Sequence, residues 1–200
     1  MGPRRRPWEQ EERKMERRRV AGKELDEILD QHRLWVESGH EEGERADLAY
    51  ADLCYASLVG DNLQDASLNS VRMTSASLNW ANLRGSDLRN ADLYRSQMTG
   101  ADLRGAKLNN ASLVAVDLRG ADLREADLSG ASLDQAKLAG ADLRGTDLRG
   151  TVLYGALGLD EAITDETTKE PEPLSPAESL RIRNADTLIR ILGILGENTR

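Results

Sequence analysis

From Ala46 to Gly155 the apolar positions of the chain recur every five residues without an insertion. Written in fives, the run reads ADLAY, ADLCY, ASLVG and onward to TVLYG, 22 units in all. The third position is Leu in 20 units and Met in two, Met73 and Met98. The first is Ala in 15 units and otherwise Asp61, Val71, Ser86, Ser96, Val116, Thr146 or Thr151. A period of five matches neither the 3.6 residues of a helical turn nor the two of a flat strand. Within one unit the first and third residues share one side of an extended segment, and the second points away. Because five is odd, the last two residues must turn the chain before the next Ala can face inward again. Gly stands fifth in 10 units, where it accepts the positive φ that tight corners often need. A chain that turns the same way every five residues winds into a coil. Its stacked turns pair backbone to backbone and bury the Leu and Ala columns.

The units follow the motif A(D/N)LXX, and on that motif residues 46–155 resemble the pentapeptide repeat family. The resemblance implies an all-β solenoid, a right-handed quadrilateral β-helix with four units per 20-residue coil. Twenty-two units then make about five and a half coils, a rod of roughly 25 Å at about 4.8 Å per coil. In that frame Leu is the central inward residue and Ala the small one. Asp61 is the discordant inward position, where a local bulge or a side-chain bond to corner backbone is expected, with a buried functional carboxylate as the alternative.

Both ends of such a coil need covering, because open backbone and open Leu columns invite end-to-end association. Residues 1–23 form a charged N-terminal segment. Residues 24–45 are expected to be a helical N-terminal cap, with Leu25, Ile28, Leu29, His32, Trp35 and Val36 at helical spacing and Ser38 and Gly39 as stop signals. This segment also resembles the helical leader of many bacterial pentapeptide repeats. Residues 156–175 read as a terminal turn and Pro-rich linker. Residues 176–196 read as a C-terminal amphipathic helix opened by Ser175, Pro176 and Glu178. Leu188, Leu192 and Leu195 lie on its apolar stripe as a candidate helix interface. Folding back on the rod, self-association as a homodimer and docking to another protein each bury that stripe.

The charge balance, Lys+Arg 27 against Asp+Glu 35 for a net of −8 over 200 residues, argues against direct nucleic-acid binding and against a polybasic membrane-surface protein. The lone Cys54 excludes an intrachain disulfide, and with His32 and His40 it leaves little for a structural zinc site. These features point to a reducing compartment and a cytoplasmic protein. No apolar run approaches the roughly 18 residues of a membrane span, and the N-terminus lacks the hydrophobic stretch of a signal peptide. P-loop, CxxC and HExxH motifs are absent, and no nucleophile stands with a base. No catalytic residue, cofactor or metal is therefore expected, and the chain reads as a non-enzyme.

Outward residues 20 apart should stack. One column holds Arg84, Arg104, Arg124 and Arg144 beside Asn82, Asp102, Asp122 and Asp142. It reads as a charge ladder cross-paired between rungs, serving solubility and register. A second column runs Cys54, Thr74, Tyr94, Val114, Asp134 and Tyr154, flanked by Tyr55, Ala115 and Val152. Tyr94, Val114, Tyr154 and Tyr55 are its candidate partner-binding residues, because Tyr is enriched where proteins meet. The expected function is a bacterial, non-enzymatic protein-interaction scaffold with a protein partner. The alternative follows from the resemblance: some members of the family imitate duplex DNA and bind type II topoisomerase, protecting or inhibiting gyrase. Residues 46–155 hold 14 acids against 11 bases, a weaker negative charge than such mimicry asks for. The Phe residues and inserted loops common in that group are also missing.

Overall fold

The structure is a computed structural model that describes residues 19–20, 23–169 and 171. Four parallel ladders, beginning at Asp47, Asp52, Ser57 and Asn62, join second-position residues 20 apart and define faces one to four of a coil. In each unit the third-position N–H reaches up one rung and the second-position N–H reaches down. Leu68 N donates to Asp87 O at 2.8 Å, and Ser67 N donates to Ala46 O at 2.9 Å. Pairing is confined to single bridges, because a corner every five residues leaves no room for a longer strand.

The corners explain the period. At each, a first-position N–H donates to the carbonyl of the preceding Leu, as Ala51 N does to Leu48 O at 3.2 Å. The fifth-position residue between them has positive φ in every unit from Tyr50 to Gly155. That is the signature of a type II turn, which demands φ > 0 at its third residue. Ten of these corners are Gly and 12 are not, including Trp80, Ala115 and Glu125.

The inward columns fill the coil. Leu48 through Leu143 and both Met residues are buried, as are the Ala residues beside them from Ala66 to Ala141. Three of the four hydroxyls that replace Ala find a carbonyl: Ser86 Oγ donates to Leu83 O at 2.7 Å, Thr146 Oγ1 to Leu123 O at 2.8 Å and Thr151 Oγ1 to Leu128 O at 2.9 Å, whereas the buried Ser96 Oγ meets no partner among the described residues. Asp61 departs from expectation. The register runs through it unbroken, with Asn82 N donating to Asp61 O at 2.9 Å, so there is no bulge. Its carboxylate makes no hydrogen bond among the described residues. It sits half-buried in the first coil, and burial, with the nearby Asp26 carboxylate, pushes its pKa up.

Backbone pairing also continues past Gly155. Lys137 bridges Leu157, Asp142 bridges Ile163 and Asp147 bridges Lys169. The extra residues are taken up by a 3-10 turn, Leu159–Glu161, which follows Gly158 at φ 72. Thr168 then occupies a small inward place, its Oγ1 donating to Leu143 O at 2.9 Å. The proposed helix of residues 176–196, with Leu188, Leu192 and Leu195, lies outside the described residues.

At the N-terminal end, β1 (Arg19–Val20) pairs antiparallel with β2 (Lys23–Glu24), a hairpin that the chain's pattern did not announce, and leads into α1 (Leu25–Glu37). Asp26 and Glu27 in the first turn favour the positive end of the helix dipole. The helix stops where Gly39 N donates to Val36 O and His40 N to Trp35 O, with both residues at positive φ. Gly43 is required beyond it, because a Cβ there would lie 2.2 Å from Gln31 O. Leu25, Ile28 and His32 are the buried side of α1. His32 Nδ1 accepts the N–H of Ala46 at 3.1 Å, tying the cap to the first unit. Trp35 stacks between His32 and His40, with ring centres 5.6 and 3.7 Å away.

Two measurements check this account. Ala115→Gly relieves a non-glycine corner and is expected to stabilise the fold by about 0.5–1 kcal/mol, whereas Gly120→Ala, at φ 64 with nothing near its added Cβ, costs about 1 kcal/mol. Urea unfolding of both variants reads the signs. His32 gives a pH dependence: burial chiefly, with Arg45 adding to it against the Gln64 carbonyl and Asp65, lowers its pKa from 6.5. Its neutral form is the folded one, so its contribution is full above about pH 6.5 and declines as pH falls towards the depressed pKa. His32→Gln is expected to lower the melting midpoint at pH 7.5 and to flatten its dependence on pH below about 6.5.

Candidate interaction surfaces

On face four the arginine column folds back within its own rung. Arg104 donates from Nε to Asp102 Oδ1 at 2.8 Å, Arg124 to Asp122 Oδ1 at 2.9 Å and Arg144 to Asp142 Oδ1 at 2.9 Å, each with a second bond from Nη2 to Oδ2. Contacts between rungs are longer: 3.5 Å from Arg104 to Asp122 and 3.7 Å from Arg124 to Asp142. The expected cross-rung ladder is thus a stack of two-residue forks, because a guanidinium reaches its neighbour two residues back in ideal geometry. These forks hold Asp102 and Asp142 below the usual carboxylate range and raise the pKa of Arg124. Arg84 is the exception: Asn82 stands where the others have Asp, accepting the Arg84 N–H at 3.2 Å. The same fork recurs at Arg89–Asp87, Arg119–Asp117 and Arg149–Asp147. Asp147 is buried, held also by Lys169 at 3.1 Å, and its pKa is driven far down by the Arg149 hydrogen bonds.

On face two, Tyr94, Val114, Asp134 and Tyr154 stack on consecutive rungs. Tyr154 is 41% exposed and Tyr55, at the corner of the first coil, 67%, while Tyr94 and Val114 are half-buried. Arg95 lies 5.0 Å from the centre of the Tyr94 ring, a cation–π contact. Cys54, read as outward, is in fact buried at 7% exposure with Sγ towards Arg72 O at 3.9 Å, and burial pushes its thiol pKa up. Trp80 and Tyr50, at 68% and 74% exposure, are large surface aromatics that the column reading passed over. The fifth position of their units was the available signal, since a residue at positive φ on a corner projects from the rod. The Trp80 indole lies against the backbone of Gly100, where a Cβ would come within 2.2 Å of it.

Among the described residues no group of three or more His, Cys, Asp and Glu could hold a metal ion, and no helix is long and apolar enough to cross a membrane. The sequence profile for pentapeptide repeats matches residues 46–85, 76–113 and 111–150. The chain belongs to the pentapeptide repeat family. The right-handed quadrilateral β-helix of that family agrees with the four ladders. Solved pentapeptide repeat proteins resemble the chain. HetL, involved in heterocyst differentiation regulation in the cyanobacterium Nostoc, is 30% identical, with 64% of this chain and 68% of that one covered and a TM-score of 0.38. A pentapeptide repeat protein of the Arabidopsis thaliana thylakoid lumen is 28% identical, covering 55% and 84%, with a TM-score of 0.40. QnrB1, a plasmid-mediated fluoroquinolone resistance protein, is 21% identical, covering 74% and 83%, with a TM-score of 0.30. No curated protein matches significantly.

The pentapeptide rungs predict a contrast between exposed and buried forks. Asp122→Asn, on a fork whose carboxylate is 29% exposed against 10% for Asp147, is expected to change stability by about 0–1 kcal/mol. Asp147→Asn removes the partner of Arg149 and Lys169 at a buried position and is expected to cost about 1–3 kcal/mol. Denaturant unfolding at neutral pH measures both.

Proposed function

We propose that this protein is a non-enzymatic interaction scaffold, a rigid rod that presents face two to a protein partner. The observation that carries this reading is the aromatic column: Tyr94 and Val114 half-buried and Tyr154 exposed along it, with Tyr55 exposed at the corner beside its first rung. Half-burial supports the reading, because a side chain already ordered on the rod loses less freedom on binding than a free one. At about 4.8 Å per rung, Tyr94 to Tyr154 spans about 14 Å, enough for a small cluster of strong contacts. A cytoplasmic, bacterial setting fits the lone buried thiol and the leader-like cap.

Topoisomerase binding by DNA imitation is less well supported. Duplex imitation needs an uncompensated acidic surface, whereas six carboxylates of this rod are each gripped by an arginine of the same rung. That pairing cancels the field at a distance.

Affinity capture from native lysate tests the proposal. Tyr94→Ser with Tyr154→Ser is expected to keep the fold and lose the partner by the 2 kcal/mol or more of a hot spot. Arg89→Ser with Arg119→Ser, on other faces, should retain it. Retention by the Tyr pair and loss by the Arg pair would overturn the assignment of the face. Protection or inhibition of gyrase supercoiling at stoichiometric protein would favour topoisomerase binding instead.

A further inference from the structure

Opposite face two, the face-four corner holds a groove of about 580 Å³. Arg84, Arg104 and Arg124 form one wall, and the backbones of Gly85 and Gly105 line it beside them. Asp65 and Glu125 stand in the same corner column, one rung before Gly85 and one rung after Gly105, and line the groove towards its two ends. The groove is open at Gly105, where an added Cβ would meet nothing within 4 Å, while at Gly85 the Asp65 carboxylate already lies over the corner, its Oδ1 2.2 Å from where a Cβ would stand.

The donors facing it are not all spent. Arg104 and Arg124 each use Nε and Nη2 for their carboxylates, and no acceptor meets their Nη1 among the described residues. Arg84 is exposed, and among the described residues no carboxylate forms an ion pair with it. Its own rung offers the amide of Asn82, whose Nδ2 donates to Asn62 Oδ1 at 3.0 Å, and the next rung's Asp102 is gripped by Arg104. A guanidinium carries five donors in a planar fork suited to a carboxylate, so this column has room for oxyanions from outside.

We propose that the groove is a docking site for a short, extended acidic segment of a partner protein, with Arg84 and the Nη1 edges of Arg104 and Arg124 binding its carboxylates. Length selects the occupant. Arg84 to Arg124 is two rungs, about 10 Å, which three extended residues cover at about 3.3 Å each. Two acidic side chains separated by one residue project to the same side, about 7 Å apart, within the about 10 Å that the three guanidinium arms span. Asp65 and Glu125 at the ends repel a polyanion that runs on past them, which disfavours polyphosphate and nucleic acid. The site is separate from the aromatic face.

The test uses the full chain and a capped pentapeptide with glutamates second and fourth and glycines elsewhere. Backbone amide resonances of Gly85 and Gly105 are followed during titration. Saturable shifts are expected with the glutamate peptide and none with its glutamine counterpart. Arg84→Gln should weaken binding about tenfold, and Gly105→Glu, which places in the groove the residue found one coil later at Glu125, should abolish it. Arg144→Gln, in the same column but outside the groove, should bind within about twofold of the parent. Should Gly105→Glu melt early, Arg84→Gln alone decides, since its side chain is exposed. Absence of saturable shifts, or unchanged affinity in Arg84→Gln, overturns the proposal. So does tripolyphosphate binding the same amides more tightly than the peptide. Tyr94→Ser with Tyr154→Ser must leave this titration unaltered, so that failure here leaves the face-two reading standing and the reverse.

Discussion

A β-turn with positive φ at its third residue recurs at every fifth position from Tyr50 to Gly155, and the rest of the molecule follows from that repetition. Each corner reverses the parity of the strand so that Leu and the small residue always return inside. It limits every face to one bridge, and it stacks like position on like position every 20 residues. An L-residue in that conformation costs about 1 kcal/mol, yet 12 corners accept it. What offsets it is local and repeated: coil-to-coil hydrogen bonds in each unit and a buried Leu or Met. A solenoid of this kind is stabilised by neighbour on neighbour, so a weak corner is tolerated where both flanking rungs are sound.

The same repetition governs the surface. Second-position Asp and fourth-position Arg of one unit point to the same side, two residues apart, and close into forks before they can reach the next rung. In the six units that carry such a fork, charge is therefore neutralised within the unit. A single departure, Asn82 for Asp, is enough to leave Arg84 unmatched beside the groove at the Gly85 and Gly105 corners. On a regular lattice, function enters through substitutions at named lattice points.

Much of this was legible in the chain. The inward columns and the cap helix follow from periods of five and of 3.6, and the four-sided coil from the resemblance to pentapeptide repeats. The misses have physical causes. Two-residue strands such as Arg19–Val20 carry no pattern. The paired segment beyond Gly155 loses the count of five, its last bridges spanning 21 and 22 residues instead of 20. Arginine direction is a rotamer choice that spacing does not encode, so rung-to-rung and within-rung pairing looked alike. Cys54 sits on a nominally outward position, but its side chain is small enough to be covered. Asp61 stays in register because the cap side of the first coil, unlike every later rung, leaves an inward carboxylate half-exposed. Of the candidate surfaces, the columns were readable and the exposure of each member was not, since a neighbour one rung away decides it.

The bond from Ala46 N–H to His32 Nδ1 has a consequence for how the chain finds its place. Units are nearly interchangeable, so a coil displaced by one unit still sets Leu over Leu and small residue over small residue, and nothing inside a unit records its ordinal. The imidazole names one unit as the first. Counting of rungs starts from that mark, and α1 serves as the zero of the scale on which every face is laid out.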